Sequence, residues 1–116
     1  TARELCDQIL LEMQTRVGVA QEVYRVITED LRHFNKIDAV AERLNMSSRT
    51  LRRKLALQDK TYQQILTEVR KQLAIQFLRN STFSAEEIAD RLGFTDAANF
   101  RHAFKKWTGK STSEYR

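Results

Sequence analysis

Apolar residues along this chain recur at helical spacing nearly throughout, with polar residues between them, which predicts an all-α protein with short connections. Val19, Val23, Val26, Ile27 and Phe34 form one stripe, and Leu5, Ile9 and Met13 form a shorter one ahead of Gly18. Further on, Ile65, Val69, Leu73 and Phe77 follow one another at four-residue intervals, the mark of an amphipathic helix. The chain has no proline and only three glycines, so little interrupts these helices. Its 116 residues suffice for one ordinary domain or for two very small ones sharing a connecting element.

Self-comparison reveals a repeat. The stretch AVAERLNMSSRTLRRKL (39–55) resembles EIADRLGFTDAANFRHAF (87–104). Val40, Ala41 and Leu44 match Ile88, Ala89 and Leu92, giving the apolar edge of a short helix in each copy. Asn45 matches Gly93 just beyond that helix, and both residue types take the left-handed backbone that turns a chain sharply. Met46 and Phe94 are placed to plug the angle between two helices. Ser47/Ser48 and Thr95/Asp96 supply N-caps for the helix that follows. After one extra residue in the second copy, Leu51 and Leu55 match Phe100 and Phe104. A short helix, a left-handed turn and a capped second helix make a helix-turn-helix, and the chain carries two. They are expected at about 38–57 and 85–108.

Between them, Thr61 to Gln64 reads as a capping box that opens a helix running over about 61–79. Ser84 to Glu87 reads as a second box, opening the next unit. The expected architecture is therefore two helix-turn-helix subdomains joined by a long rigid linker helix.

At about 100° per residue, Leu51 and Leu55 share one side of the second helix of the first unit. Arg49, Arg52 and Arg53 fall on the other side, with Lys54 at the margin. In the second unit Phe100, Phe104 and Trp107 share the inner side, while Ala98, Arg101, His102 and Lys105 point away and Asn99 and Lys106 flank them. The second helix of such a unit enters the DNA major groove with its N-terminal half toward base edges. Arginine grips guanine O6 and N7 with two hydrogen bonds, so Arg49, Arg52 and Arg53 are base-reading candidates. The bland alternative is a solvated face, which an isolated amphipathic helix would favour.

Charge placement supports the first reading. The net charge is +5, but residues 1–36 carry 5 Lys and Arg against 6 Asp and Glu, while residues 37–116 carry 15 against 9. The basic excess lies wholly in the repeated part, as expected for a polyanionic partner.

The stretch ADRLGFTDAANFRHAFKKWTGKSTSEYR (89–116) closely resembles the signature that ends the DNA-binding domain of AraC/XylS-type bacterial transcription regulators. Gly93-Phe94, Phe100, Phe104-Lys105, Gly109 and Tyr115-Arg116 fit its spacing, and the resemblance extends over roughly 20–116. It implies a domain over 18–116 that binds double-stranded DNA sequence-specifically, with two recognition helices in successive major grooves on one face. It also implies a cytoplasmic activator, associated with the nucleoid when bound, that touches RNA polymerase and carries a separate effector-binding or dimerising domain. In the family's arrangement Arg49, Arg52 and Arg53 sit at base-reading positions of the first unit. Ala97, Ala98, Asn99, Arg101 and His102 sit at those of the second. Ser47, Ser48, Thr50 and Thr95 are assigned to capping or phosphate contact, and Lys105 and Lys106 to phosphate or solvent. Two departures stand out. Thr112 replaces the usual proline, with Ser111 to Glu114 still able to form a capping box, and Arg101-His102 replaces a common Ser-Arg. Arg101 could contact a base or a phosphate; His102 could do either or bond locally. The second copy keeps the scaffold but little of the charge, so the first unit is expected to carry more of the affinity.

The chain begins on Thr1 rather than Met, which suggests a piece of a longer protein, and residues 1–17 are expected to be a remnant of an interdomain linker or an extra N-terminal helix. Cys6, the single cysteine, excludes an internal disulfide and fits a reducing compartment. Cys6 and His33 have no partners at metal-ligand spacing, and no nucleophile motif is present, so neither a cofactor nor catalysis is expected. No apolar run is long enough to span a bilayer. The competing reading is a helical module whose basic face docks an acidic protein. It explains charge and helicity but not why the turn geometry and the capped second helix occur twice.

Overall fold

The structure is a computed structural model and describes residues 18–116. The stripe at Leu5, Ile9 and Met13, together with Cys6, lies outside the described residues. Among the described residues all regular structure is helical. Helix α1 occupies 18–29, followed by α2 (Ile37–Arg43), α3 (Ser48–Ala56), α4 (Tyr62–Asn80), α5 (Ala85–Arg91) and α6 (Ala97–Thr108). A 3-10 turn, Thr112–Tyr115, closes the chain.

Each of the two helix-turn-helix corners is built by the same hydrogen bonds. After α2, Asn45 adopts φ 59°. Its N–H donates to the Glu42 carbonyl at 3.1 Å, and that of Met46 to the Ala41 carbonyl at 3.0 Å. After α5, Gly93 adopts φ 82°, with Gly93 N–H to Asp90 at 3.2 Å and Phe94 N–H to Ala89 at 2.9 Å. This paired pattern satisfies carbonyls that a helix end otherwise leaves without partners. Met46 and Phe94 are half-buried against the core, as plugs of the two corners. The extra residue of the second copy lies in the turn. Ser47 caps α3 directly after Met46, whereas Asp96 caps α6 with Thr95 intervening. Of each predicted capping pair, then, one residue caps; Ser48 is already the first residue of α3.

Both predicted capping boxes form, Thr61 with Gln64 at α4 and Ser84 with Glu87 at α5. At the second, the backbone N–H of Ser84 donates to Glu87 and holds its carboxyl below the ordinary range. The box expected at Ser111 does not form: Ser111 makes no side-chain cap bond. Its hydroxyl lies 3.2 Å from that of Ser113 instead, and the segment tightens into a 3-10 turn. The stripe through Phe34 is also broken. α1 ends before Asp30, whose carbonyl accepts the Phe34 N–H at 2.9 Å, so Phe34 reaches the core from a turn rather than a helix face.

One apolar cluster runs through both units. It joins Val23, Val26 and Ile27 of α1 to Val40, Leu51 and Leu55, passes along Ile65, Val69, Ala74 and Leu78 of α4, and ends in Ile88, Leu92, Phe100 and Phe104. Thirteen of its residues are more than 98% buried. The second unit is the aromatic half. Phe94 stacks near Phe100 and Trp107 at 5.8 and 5.9 Å, and Tyr115 meets the Phe104 ring edge-on at 5.1 Å. The predicted linker helix is therefore also the spine of a shared core.

A polar contact also ties the units together away from the α4 axis. Asn35, between α1 and α2, donates to the Gly93 carbonyl at 3.4 Å. Arg70 of α4 donates to the carbonyls of Leu92 and Gly93 at 2.9 and 3.2 Å, and its guanidinium lies 4.3 Å from the Phe94 ring centre. An exposed pair, Arg32 and Asp90 at 3.2 Å, sits alongside.

Candidate nucleic-acid interface

Helix α3 is anchored by its leucines and capped by its hydroxyls. Leu51 and Leu55 are fully buried. Ser47 accepts the Thr50 N–H at 3.1 Å and its hydroxyl donates to that of Thr50 at 2.9 Å. The Ser48 hydroxyl donates to the Asp38 carboxylate of α2. Ser47, Ser48 and Thr50 are thereby committed to fixing the start of the helix and its angle to α2.

What remains outward is cationic. Arg49, Arg52, Arg53 and Lys54 are all exposed, and α3 contains no acidic residue. Among the described residues none of these four side chains takes part in an ion pair, hydrogen bond or ring contact. Other arginines are employed within the fold. Arg70 binds the α5 corner, Arg91 lies 4.0 Å over Phe83, Arg79 lies 5.3 Å over Tyr115, and Arg43 pairs with Glu29 at 3.6 Å. The contrast separates structural cations from those left facing solvent. Beside α3 an open cavity of about 650 Å³ is lined by Lys36, Asp38, Arg52, Lys60 and Tyr62 among others; Lys36 and Lys60 add cations there, with the Lys60 ammonium 6.0 Å over the Tyr24 ring.

Helix α6 presents a different face. Ala98, Asn99, Arg101 and His102 are exposed and Ala97 half-buried. Asn99 folds back on the cap: its backbone N–H donates to Asp96 at 2.7 Å and its side-chain amide to the Thr95 hydroxyl at 3.1 Å. Arg101 reaches across to Glu86 of α5 at 3.4 Å, with the two side chains 53% and 68% exposed. A pair that exposed is weak and can be exchanged for another anion. Lys105 and Lys106 lie in the last turn of α6 and are exposed, where they also complement the negative end of the helix dipole.

The structure thus brings Arg49, Arg52 and Arg53 together on one open helix face. Ala98, Asn99, Arg101 and His102 share the face of the other, with two of them already bonded inside the protein. Sequence reasoning missed Asn35, Arg70 and Glu86, whose partners lie on other elements. Arg70 is half-buried, and burial pulls its guanidinium down from its ordinary value. Among the described residues no cluster of His, Cys, Asp or Glu could hold a metal ion, and no helix is long and apolar enough to cross a membrane.

A family model described as a helix-turn-helix domain matches residues 40–116. The chain is similar to the ornithine utilization regulator of Pseudomonas aeruginosa, at 41% identity over 111 residues, 96% of this chain and 33% of that protein. It spans about a third of the length of the curated relatives it matches first. Among solved structures it resembles a DNA-binding transcriptional dual regulator from Escherichia coli K-12, with TM-score 0.78 and 30% identity over 84% of this chain and 88% of that one. It also resembles the DNA-binding domain of AdpA, a global transcriptional factor solved in complex with a target DNA. There the TM-score is 0.70 and the identity 30%, over 83% of this chain and 87% of that one.

Proposed function

The chain belongs to the AraC-type helix-turn-helix family of transcription regulators, and on that footing we propose that it binds double-stranded DNA sequence-specifically with α3 and α6 in successive major grooves. The observation that carries the reading is the exposed face of α3, three arginines and a lysine whose side chains have no partner among the described residues, on the second helix of a helix-turn-helix. Arg49, Arg52 and Arg53 read bases in the first groove, where each bidentate contact to guanine contributes about 1–3 kcal/mol of discrimination. Ala98, Asn99, Arg101 and His102 read the second. The Asn99 amide and the Arg101 guanidinium first exchange their side-chain bonds to Thr95 and Glu86 for DNA, while the Asn99 backbone N–H keeps its cap bond to Asp96. Lys36, Lys60, Lys105 and Lys106 neutralise phosphates, each adding about 0.9 to the log–log salt slope of binding.

In the whole protein this domain serves an activator that contacts RNA polymerase in the cytoplasm, with an effector-binding or dimerising domain in the part of the protein beyond this chain. Selection from a random duplex pool tests the DNA claim. The expected product is an asymmetric site with two contacted segments about one helical turn apart. Failure to enrich any sequence, together with no binding to random duplex at low salt, would favour an acidic protein partner instead.

A further inference from the structure

The linker helix alone does not fix how the two recognition helices face one another. A helix sets distance along its axis, and each unit packs apolar side chains against α4, yet neither feature joins one unit directly to the other. A direct attachment between the units, off that axis, restricts their relative rotation further, and the structure contains one.

Its centre is the α5 corner. The Leu92 and Gly93 carbonyls stand at the C-terminal, electronegative end of α5, where a cation and N–H donors are favoured. Arg70 supplies both, with Nε on Leu92 at 2.9 Å, a terminal nitrogen on Gly93 at 3.2 Å, and its plane against Phe94. Asn35 adds a donor from the first unit at 3.4 Å. It directly precedes Lys36, the N-cap of α2, so it is coupled to the first helix-turn-helix at its entry. Tyr62 closes the circuit, donating its hydroxyl to the Phe34 carbonyl at 2.5 Å and holding the same turn to the start of α4. The approach is tight: a Cβ on Gly93 would sit 2.7 Å from the Leu31 carbonyl oxygen. Gly93 lies three residues before Asp96, the N-cap of α6, so any shift of this corner is passed to the second recognition helix.

We propose that the contact joining Asn35 and Arg70 to the Leu92–Gly93 corner sets the relative position of α3 and α6, and thereby the spacing between DNA segments that the protein accepts. Asn35 and Arg70 are positioning residues, acting through the corner and not on DNA. The proposal rests on the two-groove reading above. Inserting one base pair between the two segments rotates one against the other by about 34° at 10.5 base pairs per turn. A latched reader cannot follow that rotation, and an unlatched one follows it in part.

The test uses the 116-residue chain and the DNA site selected from random duplex, with one base pair inserted or deleted between its two segments. The unaltered protein is expected to lose at least about tenfold in affinity on either altered spacing. Arg70→Met with Asn35→Ala should cut that penalty to about threefold or less, chiefly by weaker binding at the optimal spacing. An undiminished penalty in a folded variant overturns the proposal. Failure of the unaltered protein to bind any duplex overturns the two-groove reading instead. A DNA-free measurement keeps the two apart and covers a double variant that does not fold. Spin labels at Glu42→Cys and Lys110→Cys, with Cys6→Ser, report the distance between units. That distribution should be narrow in the background protein and clearly broader with Asn35→Ala or Arg70→Lys. Unchanged widths overturn the proposal.

Discussion

Replacing Gly93 by alanine probes the corner where backbone geometry and the contact between units coincide. Gly93 has φ 82°, and an alanine held in the left-handed region costs about 1 kcal/mol or slightly more. Gly109 at the end of α6 has φ 75° and nothing within 4 Å of an added Cβ, so Gly109→Ala should show that backbone cost alone. At Gly93 the added Cβ would meet the Leu31 carbonyl oxygen at 2.7 Å and the Asn35 amide nitrogen at 3.2 Å. Relief requires the corner and the 31–35 turn to separate by several tenths of an ångström. The Asn35 and Arg70 bonds to the Gly93 carbonyl, at 3.4 and 3.2 Å, are then lost, at about 1 kcal/mol each. Gly93→Ala should therefore destabilise by about 3 kcal/mol against about 1 for Gly109→Ala. With an m-value of about 1.5 kcal/mol/M, urea midpoints should fall by about 2 M and 0.7 M respectively. Equal losses within about 0.5 kcal/mol would refute the reasoning, since the packed corner would then cost no more than the open one.

Arg49→Ala or Arg53→Ala should weaken binding to the selected site about 10-fold or more while changing random-duplex binding only a few-fold; equal losses in titrations on both would leave these arginines phosphate contacts. Removing the carboxylate with Glu86→Gln should strengthen DNA binding a few-fold at low salt, and the gain should vanish in an Arg101→Ala background. A double-mutant cycle showing the same gain in both would mean that Glu86 acts by general repulsion rather than by holding Arg101. Burial raises the Tyr62 phenol from 10.0 to about 12, so the folded state favours the neutral form. Its contribution to stability is fully present below pH 10 and lost as pH rises from 10 toward 12. Tyr62→Phe should flatten that part of the alkaline unfolding profile, and an unaltered slope there would count against the buried phenol.

Much of this was legible because local chemistry repeats. Asn45 and Gly93 stand where only a left-handed residue lets the chain turn, and both turns form. Thr61–Gln64 and Ser84–Glu87 carry both halves of a capping box within four residues, and both boxes close. Where a pattern satisfied a local rule by coincidence, tertiary context won. Phe34 continues the α1 stripe in register, yet the Asp30 turn ends the helix and delivers the ring from outside it. Ser111 to Glu114 has the residues of a box, but the segment forms a 3-10 turn in which the Ser111 hydroxyl lies near Ser113. The contacts of Asn35, Arg70 and Glu86 had no signal at all. Their partners are 58, 23 and 15 positions away, and nothing in a polar residue on a helix or turn announces which carbonyl it will meet. For the same reason the free face of α3 could be located by periodicity, whereas the engagement of Asn99 and Arg101 within the second unit could not.

The central claim is that both recognition helices engage duplex DNA at once from one face. A hydroxyl-radical footprint of the chain on its selected site addresses it most directly. Two protected segments are predicted, centred about 10–10.5 base pairs apart on the same side of the duplex, with the stronger protection opposite the arginines of α3. A single protected segment, or two on opposite sides, would contradict the account.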